Sequence, residues 1–598
     1  MKTTGLQHKI SSILHCVLLI GVLFSVVLCN PDYSSDDDMW WHLKYGEHFV
    51  KSLTWHVDHS EFSWSPSNAD WKYVSWLGDI LMFGAFKIYS FPGLYSIQIL
   101  LILAVCGMYL YYLTSVRVSF NSLHVLAIFL VIYSIYSTHV KPEIFSVFLF
   151  AVVVFVFFIS KTFSKSFFYV YPFLFFFWVN INGAFIFGIL LIVLLLSLEL
   201  LNFILLRKNP LKANLLKRLA LSVALSFLAL LINPYGIDYH LGIVHDLFLS
   251  SYMKYAGNTE AYMHIWRDLL PSGFAMRMIN LAWYMVIMMA IFTLMNAYVF
   301  IKTKKIDITI IVLNILFFII SMSIGRAKFY FPLIWLFSTA YLYSYVSIQI
   351  DSRPVIKYLA VVIVTYFSAI NIYNTFYYYP ALSWFGKSKL ALMPENEVAF
   401  INNYHLKGPF INDFSTGGYV IWSLYPEYKV FIDSRYGPYA GEVLDDWADF
   451  ESNPTSMELH KISDKYGFRA VLINLKKNRI IHLLSNSPDW KLVYFDKAAA
   501  VIIDKAEYEA HASELDAVDL SPSRFKYITD PNILTTLFWT YAMLYKDIKP
   551  LDEILKLYEN NVRHFYALRM VDIETMRYYI QSRRKQSIAG PNLRERIR

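Results

Sequence analysis

Eleven consecutive residues carry the densest chemistry in this chain: Asp36-Asp37-Asp38-Met39-Trp40-Trp41-His42-Leu43-Lys44-Tyr45-Gly46, just after the first apolar run. Asp36 and Asp38 are two residues apart, so in an extended stretch both carboxylates face one side. Such a pair can hold a divalent cation or a cationic group, or supply a base where crowding raises its proton affinity. The plain alternative is that the aspartates only keep this loop out of a membrane. His42 can act as hydrogen-bond partner, proton carrier or metal ligand, although a lone histidine is more often structural. Trp40, Trp41, Trp55, Trp64, Trp71 and Trp76 crowd the same segment. Indole rings suit both sugar faces and bilayer interfaces, and composition does not choose between them.

Further along, Lys141 and Glu143 flank Pro142, and Arg326 and Lys328 sit between two later apolar runs. Both sets fall on the side where basic residues are disfavoured. A phosphate or pyrophosphate at the membrane surface would give them a purpose, and snorkelling to lipid headgroups is the plain alternative. A loop over 233–273 opens Asn233-Pro234-Tyr235-Gly236 and contains Glu260 and His264 as further candidates. Asn412–Tyr419 and Asp433-Ser434-Arg435-Tyr436-Gly437 read first as turn chemistry with an Asp–Arg pair, and second as a functional surface loop.

These residues need a scaffold, and the composition says which kind. Of 598 residues, 57% are hydrophobic and only 16% charged, and the mean hydropathy is +0.42. Soluble domains carry roughly 25% charge. Eleven runs are apolar enough to read as spanning helices, near 11–29, 93–115, 122–139, 143–160, 167–181, 184–206, 214–232, 274–301, 307–324, 329–348 and 356–374. Asn180-Ile181-Asn182-Gly183 is only a short break between two of them. The first run reads as an uncleaved anchor rather than a signal peptide, because no small-residue cleavage pattern precedes Pro31. Arg117, Lys161, Lys165, the 207–218 cluster, Lys302–Lys305, Arg353 and Lys357 mark one face as cytoplasmic. The opposite face then holds Asp36–Asp38, the 233–273 loop and the C-terminal region.

Within the first outer loop, 30–92, the stretch 76–90 has helical spacing and few charges and reads as an interface helix. Three domains are expected: a transmembrane domain over 1–375, an α/β domain over 376–505 and a helical appendage over 506–598 with a frayed basic tail. The α/β domain shows helices near 394–404, 457–466 and 479–484, strands near 409–411, 430–432 and 470–474, and a hairpin over 490–503. The fold class is thus mainly α: a polytopic bundle of about eleven helices followed by a small exported α/β domain and a helical appendage. Cys16, Cys29 and Cys106 lie in or beside apolar helices, so the exported region has no disulfide. The +8 charge is largely cytoplasmic loop basicity, which disfavours nucleic acid as a partner. No P-loop, GxGxxG, GxSxG or zinc spacing is present.

The Asp36–Gly46 string, Trp71 with Trp76-Leu77, Trp178-Val179-Asn180, Asn233-Pro234-Tyr235-Gly236, and Gly417-Gly418-Tyr419 with Phe431-Ile432-Asp433-Ser434-Arg435 together resemble a bacterial group within the GT-C superfamily of polytopic glycosyltransferases. The resemblance covers roughly 10–505. It implies transfer of a sugar from a polyprenyl-phosphate or polyprenyl-diphosphate donor to a glycan, lipid or protein acceptor at the outer face of a bacterial inner membrane. It also implies an acidic residue of the first outer loop as base or metal ligand, and Asp36 and Asp38 occupy that place. A divalent metal ion is the one cofactor this leaves open. Lys141, Arg326 and Lys328 become candidates for the lipid phosphate, and Trp40, Trp41 and His42, with Glu260 and His264, for the substrate wall. Gly417–Tyr419 lacks the paired tryptophans and the aspartate of the oligosaccharyltransferase acceptor motif, so no acceptor role is carried onto it. The rival reading is a transporter or an envelope-assembly scaffold with an exported interaction domain.

Overall fold

The computed structural model describes residues 2–28, 37–57, 61–68, 70–136, 140–206, 211–248, 281–347, 354–378, 393–528, 530–561 and 566–588. The chain divides into two compact units. The first comprises Met1–Val57 and Asp70–Lys387, and the second Asp58–Ala69 and Ser388–Arg598. The segment 58–69 of the first loop therefore belongs with the C-terminal half, although its position in the sequence places it in the membrane domain.

Each apolar run coincides with a helix, because a backbone surrounded by lipid must satisfy its own hydrogen bonds. Among the described residues six helices are long and apolar enough to cross a membrane, which makes the chain a multi-pass membrane protein. Four further apolar helices are shorter, Ile13–Val26, Ser122–Ile135, Val170–Ile181 and Ile308–Ser323, so the structure does not reproduce a count of eleven full spans. The break before Gly183 is real: one helix ends at Ile181 and the next starts at Phe185. Between them the Asn182 side chain accepts the Ala184 N–H at 2.9 Å. The stretch 76–90 forms a helix of its own: Trp76–Ser115 is two helical segments that meet at Tyr89 and Ser90, whose backbone is not helical, just ahead of the next apolar run. Ser90 has φ 52°, and Pro92 follows without an N–H to give, so the helix bends there. The helix Tyr330–Ser344 is apolar around its circumference and forms the middle of the core.

One cation expected in a cytoplasmic loop is instead buried. Lys161 pairs with Glu199 at 2.6 Å and Asp307 at 2.8 Å. Glu199 also takes the Leu211 N–H, and Asp307 caps the helix Ile308–Ser323. Three helix ends are fastened by one ammonium group whose partners are already satisfied.

The second unit holds a four-stranded sheet, β1 (Phe410–Asn412), β2 (Ala470–Asn474), β3 (Trp490–Phe495) and β4 (Ala499–Asp504), in the order β1-β2-β4-β3. β1 and β2 are parallel, and the other pairs are antiparallel. The helices Phe414–Leu424, Ser456–Tyr466, Lys505–Leu515 and Pro531–Leu544 are each capped by the preceding side chain, Asp413, Thr455, Asp504 and Asp530. The expected strand 430–432 does not join the sheet. Val430 bridges Ser63, and Ser67 bridges Tyr439, so the segment 61–68 is its partner. Trp64 Nε1 donates to the Phe410 carbonyl at 3.0 Å, and Ser65 Oγ to that of Phe431 at 2.5 Å. Arg435 binds Asp433 through Nε and Nη2 and also reaches Ser63 Oγ at 3.0 Å.

Helix Glu395–Asn403 docks beside the β3–β4 turn through a buried carboxyl group. Glu397 accepts the N–H groups of Ala499 at 2.8 Å and Ala498 at 3.3 Å. Burial, reinforced by the neighbouring Asp496 charge, pushes its carboxyl up to about 7 despite those donors. A folded-state value above the unfolded one means that stability is fully present below about pH 4.5 and falls as pH rises through 7. The loss should be on the order of 3 kcal/mol. Hydrogen-exchange protection of the β2 and β4 amides, corrected for intrinsic rate, should drop between pH 5 and pH 8. Glu397→Gln should flatten that dependence.

Candidate functional site

The acidic string forms a helix, Asp37–Ser52, with Asp37 and Asp38 in its first turn, where the helix dipole favours negative charge. Its face of Trp41, His42, Tyr45, Gly46 and Phe49 is buried. Gly46 permits the approach of helix Trp76–Ser115: a Cβ there would lie 2.3 Å from the Asp79 carbonyl oxygen and 2.6 Å from Phe83 Cβ. One turn earlier, His42 meets Asp79, with Nδ1 2.6 Å from Oδ1. Tyr73 donates its hydroxyl hydrogen to the other carboxylate oxygen at 2.5 Å and lies 3.3 Å from the same imidazole nitrogen. Tyr73 is held by stacking on Tyr45, with ring centroids 4.4 Å apart. Asp79 has no exposed surface and His42 5%. An unpartnered carboxylate buried to that extent would cost several kcal/mol, so both donors are needed.

Asp38 sits one turn before His42 on the same helix face. Its Oδ1 takes the Trp41 indole N–H at 3.1 Å, and its Oδ2 the Lys141 ammonium at 3.1 Å. Both partners of this ion pair are partly exposed. Lys141 and Pro142 lead into the helix Glu143–Phe163, and the charges of Glu143 and Arg326 both bear on Tyr330.

The short motifs converge around this corner. Trp76 Nε1 donates to Asn180 Oδ1 at 2.9 Å, and Asn180 Nδ2 donates to the Ile232 carbonyl at 2.9 Å. Gly78 faces the Ile181 carbonyl and Pro142 so closely that a Cβ would come within 2.7 and 2.9 Å of them. Trp178 Nε1 reaches Ser146 Oγ at 2.9 Å. Asn233 closes its own turn by accepting from Tyr235 N and donating to the Gly236 carbonyl, and His56 Nε2 lies 2.9 Å from the Pro234 carbonyl.

Of the expected site residues, the structure brings Asp38, Trp41, His42 and Lys141 together. Trp40 and Trp41 are 2% and 7% exposed, Trp40 edge-on to Phe91 and Trp41 over His42. Packing between two helices therefore accounts for both rings, in place of an open platform. Lys328 lies over the Phe329 ring. Asp36, Glu260 and His264 fall outside the described residues. Among the described residues no group of three or more His, Cys, Asp or Glu could hold a metal ion, and Asp38 is committed to Lys141 and Trp41. Sequence reading missed Asp79 and Tyr73. The signal available for Asp79 was its standing as the one acidic residue in an apolar stretch of forty. In the second unit, Asp413 is spent on the N–H groups of Ser415, Thr416 and Asn474, so that string is structural.

No family model and no curated protein matches the chain. Among solved structures it is similar to the archaeal oligosaccharyltransferase AglB from Archaeoglobus fulgidus, determined in complex with an inhibitory peptide and a dolichol-phosphate. The TM-score is 0.51 at 13% identity, over 93% of this chain and 86% of that one. The likeness is one of fold, a mainly helical membrane bundle with a small sheet, in keeping with the coarse fold class expected.

Gly46→Ala should force the two helices apart and cost about 1–3 kcal/mol through overpacking. Thermal unfolding in detergent should show it as a lowered midpoint. Gly84→Ala, where nothing lies within 4 Å of the added Cβ, should be neutral or slightly stabilising.

Proposed function

We propose that this protein is a membrane glycosyltransferase that moves a sugar from a polyprenyl-phosphate or polyprenyl-diphosphate donor to an acceptor at the outer face of a bacterial inner membrane. The observation that carries the reading is the acidic corner of the first loop, Asp38 ion-paired with Lys141, in a chain whose fold matches that of a lipid-linked oligosaccharyltransferase along nearly its whole length. The lipid phosphate is already an activated leaving group. The protein has to position it, offset its charge and receive a proton from the acceptor. Lys141, held by Asp38, supplies a positive charge at this corner, with Arg326 and Lys328 as further candidates for the phosphate. Asp36 and Asp38 are the carboxylates in the place where the family carries its acidic residue. The charge asymmetry of the short loops assigns the C-terminal unit to the extracytoplasmic side.

One observation favours the transporter reading: Lys161, Glu199 and Asp307 are ionisable residues buried at the helix ends. Their mutual saturation describes a clamp better than a translocation path, so this reading ranks second.

The test offers purified protein polyprenyl-phosphate and polyprenyl-diphosphate sugars and follows release of the lipid phosphate, with and without EDTA. Wild type should release it, the EDTA arm deciding whether Asp36 and Asp38 hold a metal, and Asp36→Asn with Asp38→Asn should lower the rate by about 10²-fold or more. No release from any donor by folded protein would transfer the weight to a transporter or scaffold.

A further inference from the structure

The glycosyl-transfer reading leaves the acceptor's proton to be placed, and the described carboxylate is poorly suited to take it. Asp38 already accepts the Lys141 ammonium on one oxygen and the Trp41 N–H on the other, so both its oxygens are engaged. The imidazole one turn further on has the opposite construction. Its Nδ1 faces Asp79, which has no exposed surface and which Tyr73 also serves as a donor. A carboxylate only accepts, so the Nδ1 edge carries the proton and the lone pair sits on Nε2. Nε2 is on the ring edge turned away from Asp79 and makes no hydrogen bond among the described residues. Helix side chains lean toward the N-terminus, which carries the His42 ring toward the turn holding Asp38 and its Lys141 partner.

We infer that His42 is the group that receives the acceptor's proton during transfer, with Asp79 and Tyr73 as its positioning residues and Asp38 as the anchor of Lys141. This inference rests on the glycosyl-transfer reading. In the step, the acceptor oxygen forms a bond to the anomeric carbon and the bond from that carbon to the phosphate oxygen breaks. The electron pair leaves on the lipid phosphate, and the acceptor O–H proton moves to His42 Nε2. Asp79 stabilises the imidazolium so formed, which then returns its proton to solvent. Among the described residues, the charged and titratable groups facing His42 are Asp79 and Tyr73 through hydrogen bonds, and Asp38 one turn away with Lys141 beyond it. The alternative, a histidine that only fastens two helices, predicts loss of stability without any change in the chemistry of the acceptor.

The acceptor alcohol separates the two. Full-length protein in detergent is given polyprenyl-phosphate glucose or mannose, and the corresponding diphosphates, with ethanol or the more acidic trifluoroethanol as acceptor. Loss of a general base should cost about 10²–10⁴-fold. His42→Gln, which keeps a donor for Asp79, should therefore lose at least about 10²-fold with ethanol, and distinctly less with trifluoroethanol, which needs less help to lose its proton. Tyr73→Phe keeps the ring packing and strips one donor from Asp79. It should lower kcat with the KM for donor unchanged. Equal losses with the two alcohols in His42→Gln, an unchanged rate, or an unchanged kcat in Tyr73→Phe would overturn the assignment. In those cases wild-type transfer still stands, so the glycosyl-transfer reading survives. Absence of release by folded wild type removes that reading and the role of His42 with it.

Discussion

The site depends on how closely two helices approach at Gly46. With no Cβ at that position, the backbone carbonyl of Asp79 can sit against the helix Asp37–Ser52, and the pairing of His42 with Asp79 follows from that distance. Placing a carboxylate with no solvent access beside an apolar interface is costly unless donors surround it. Here the donors come from two residues earlier in the chain, His42 and Tyr73, and Tyr73 is itself held by stacking on Tyr45. The second close approach, at Gly78, seats the same helix against Ile181 and Pro142, next to the lysine that pairs with Asp38. Two glycines thus set the relative position of the carboxylate, the imidazole and the ammonium group.

The first loop serves two structures at once. Residues 37–57 and 70–79 build the histidine corner, while 61–68 lie against Val430 and Tyr439 in the second unit. The cost of ordering such a strap is met by backbone pairing at Trp64 and Asn68 together with the side chains of Trp64, Ser65 and Asn68. Arg435 closes the arrangement by binding Asp433 and Ser63 together, so an ion pair that looks local in sequence also secures a segment 372 residues away.

The bundle was legible because lipid enforces long apolar runs, and each run became a helix. The strands at 470–474 and 499–503 were legible as short continuous apolar runs, and 490–495 as their hairpin partner across the Asp496-Lys497 turn, despite Lys491. Val430–Ile432 shares that signature and yet lies outside the sheet, because its partner comes from the first loop and no local pattern announces it. The charge-asymmetry rule reads Lys161 as a loop cation because it weighs sequence position and not burial. Its two carboxylate partners lie on helices that only folding brings near. The site was half legible in the same sense. Asp38 and His42 declare themselves by residue type and share a face by spacing, but the Lys141 and Asp79 that define their chemistry are 103 and 37 residues away.

That division decides how the two acidic groups should be weighed. A reading by residue type favours the visible aspartate as base, since carboxylates in a first outer loop invite that role. The structure gives Asp38 a cation on one oxygen and an N–H on the other, so both oxygens are already engaged. It gives the buried Asp79 an imidazole whose other nitrogen is turned elsewhere. A carboxylate that cannot reach solvent or substrate can still act by fixing a tautomer and stabilising the cation formed when that imidazole takes a proton. The exposed acid holds charge in place, and the hidden one makes the histidine useful.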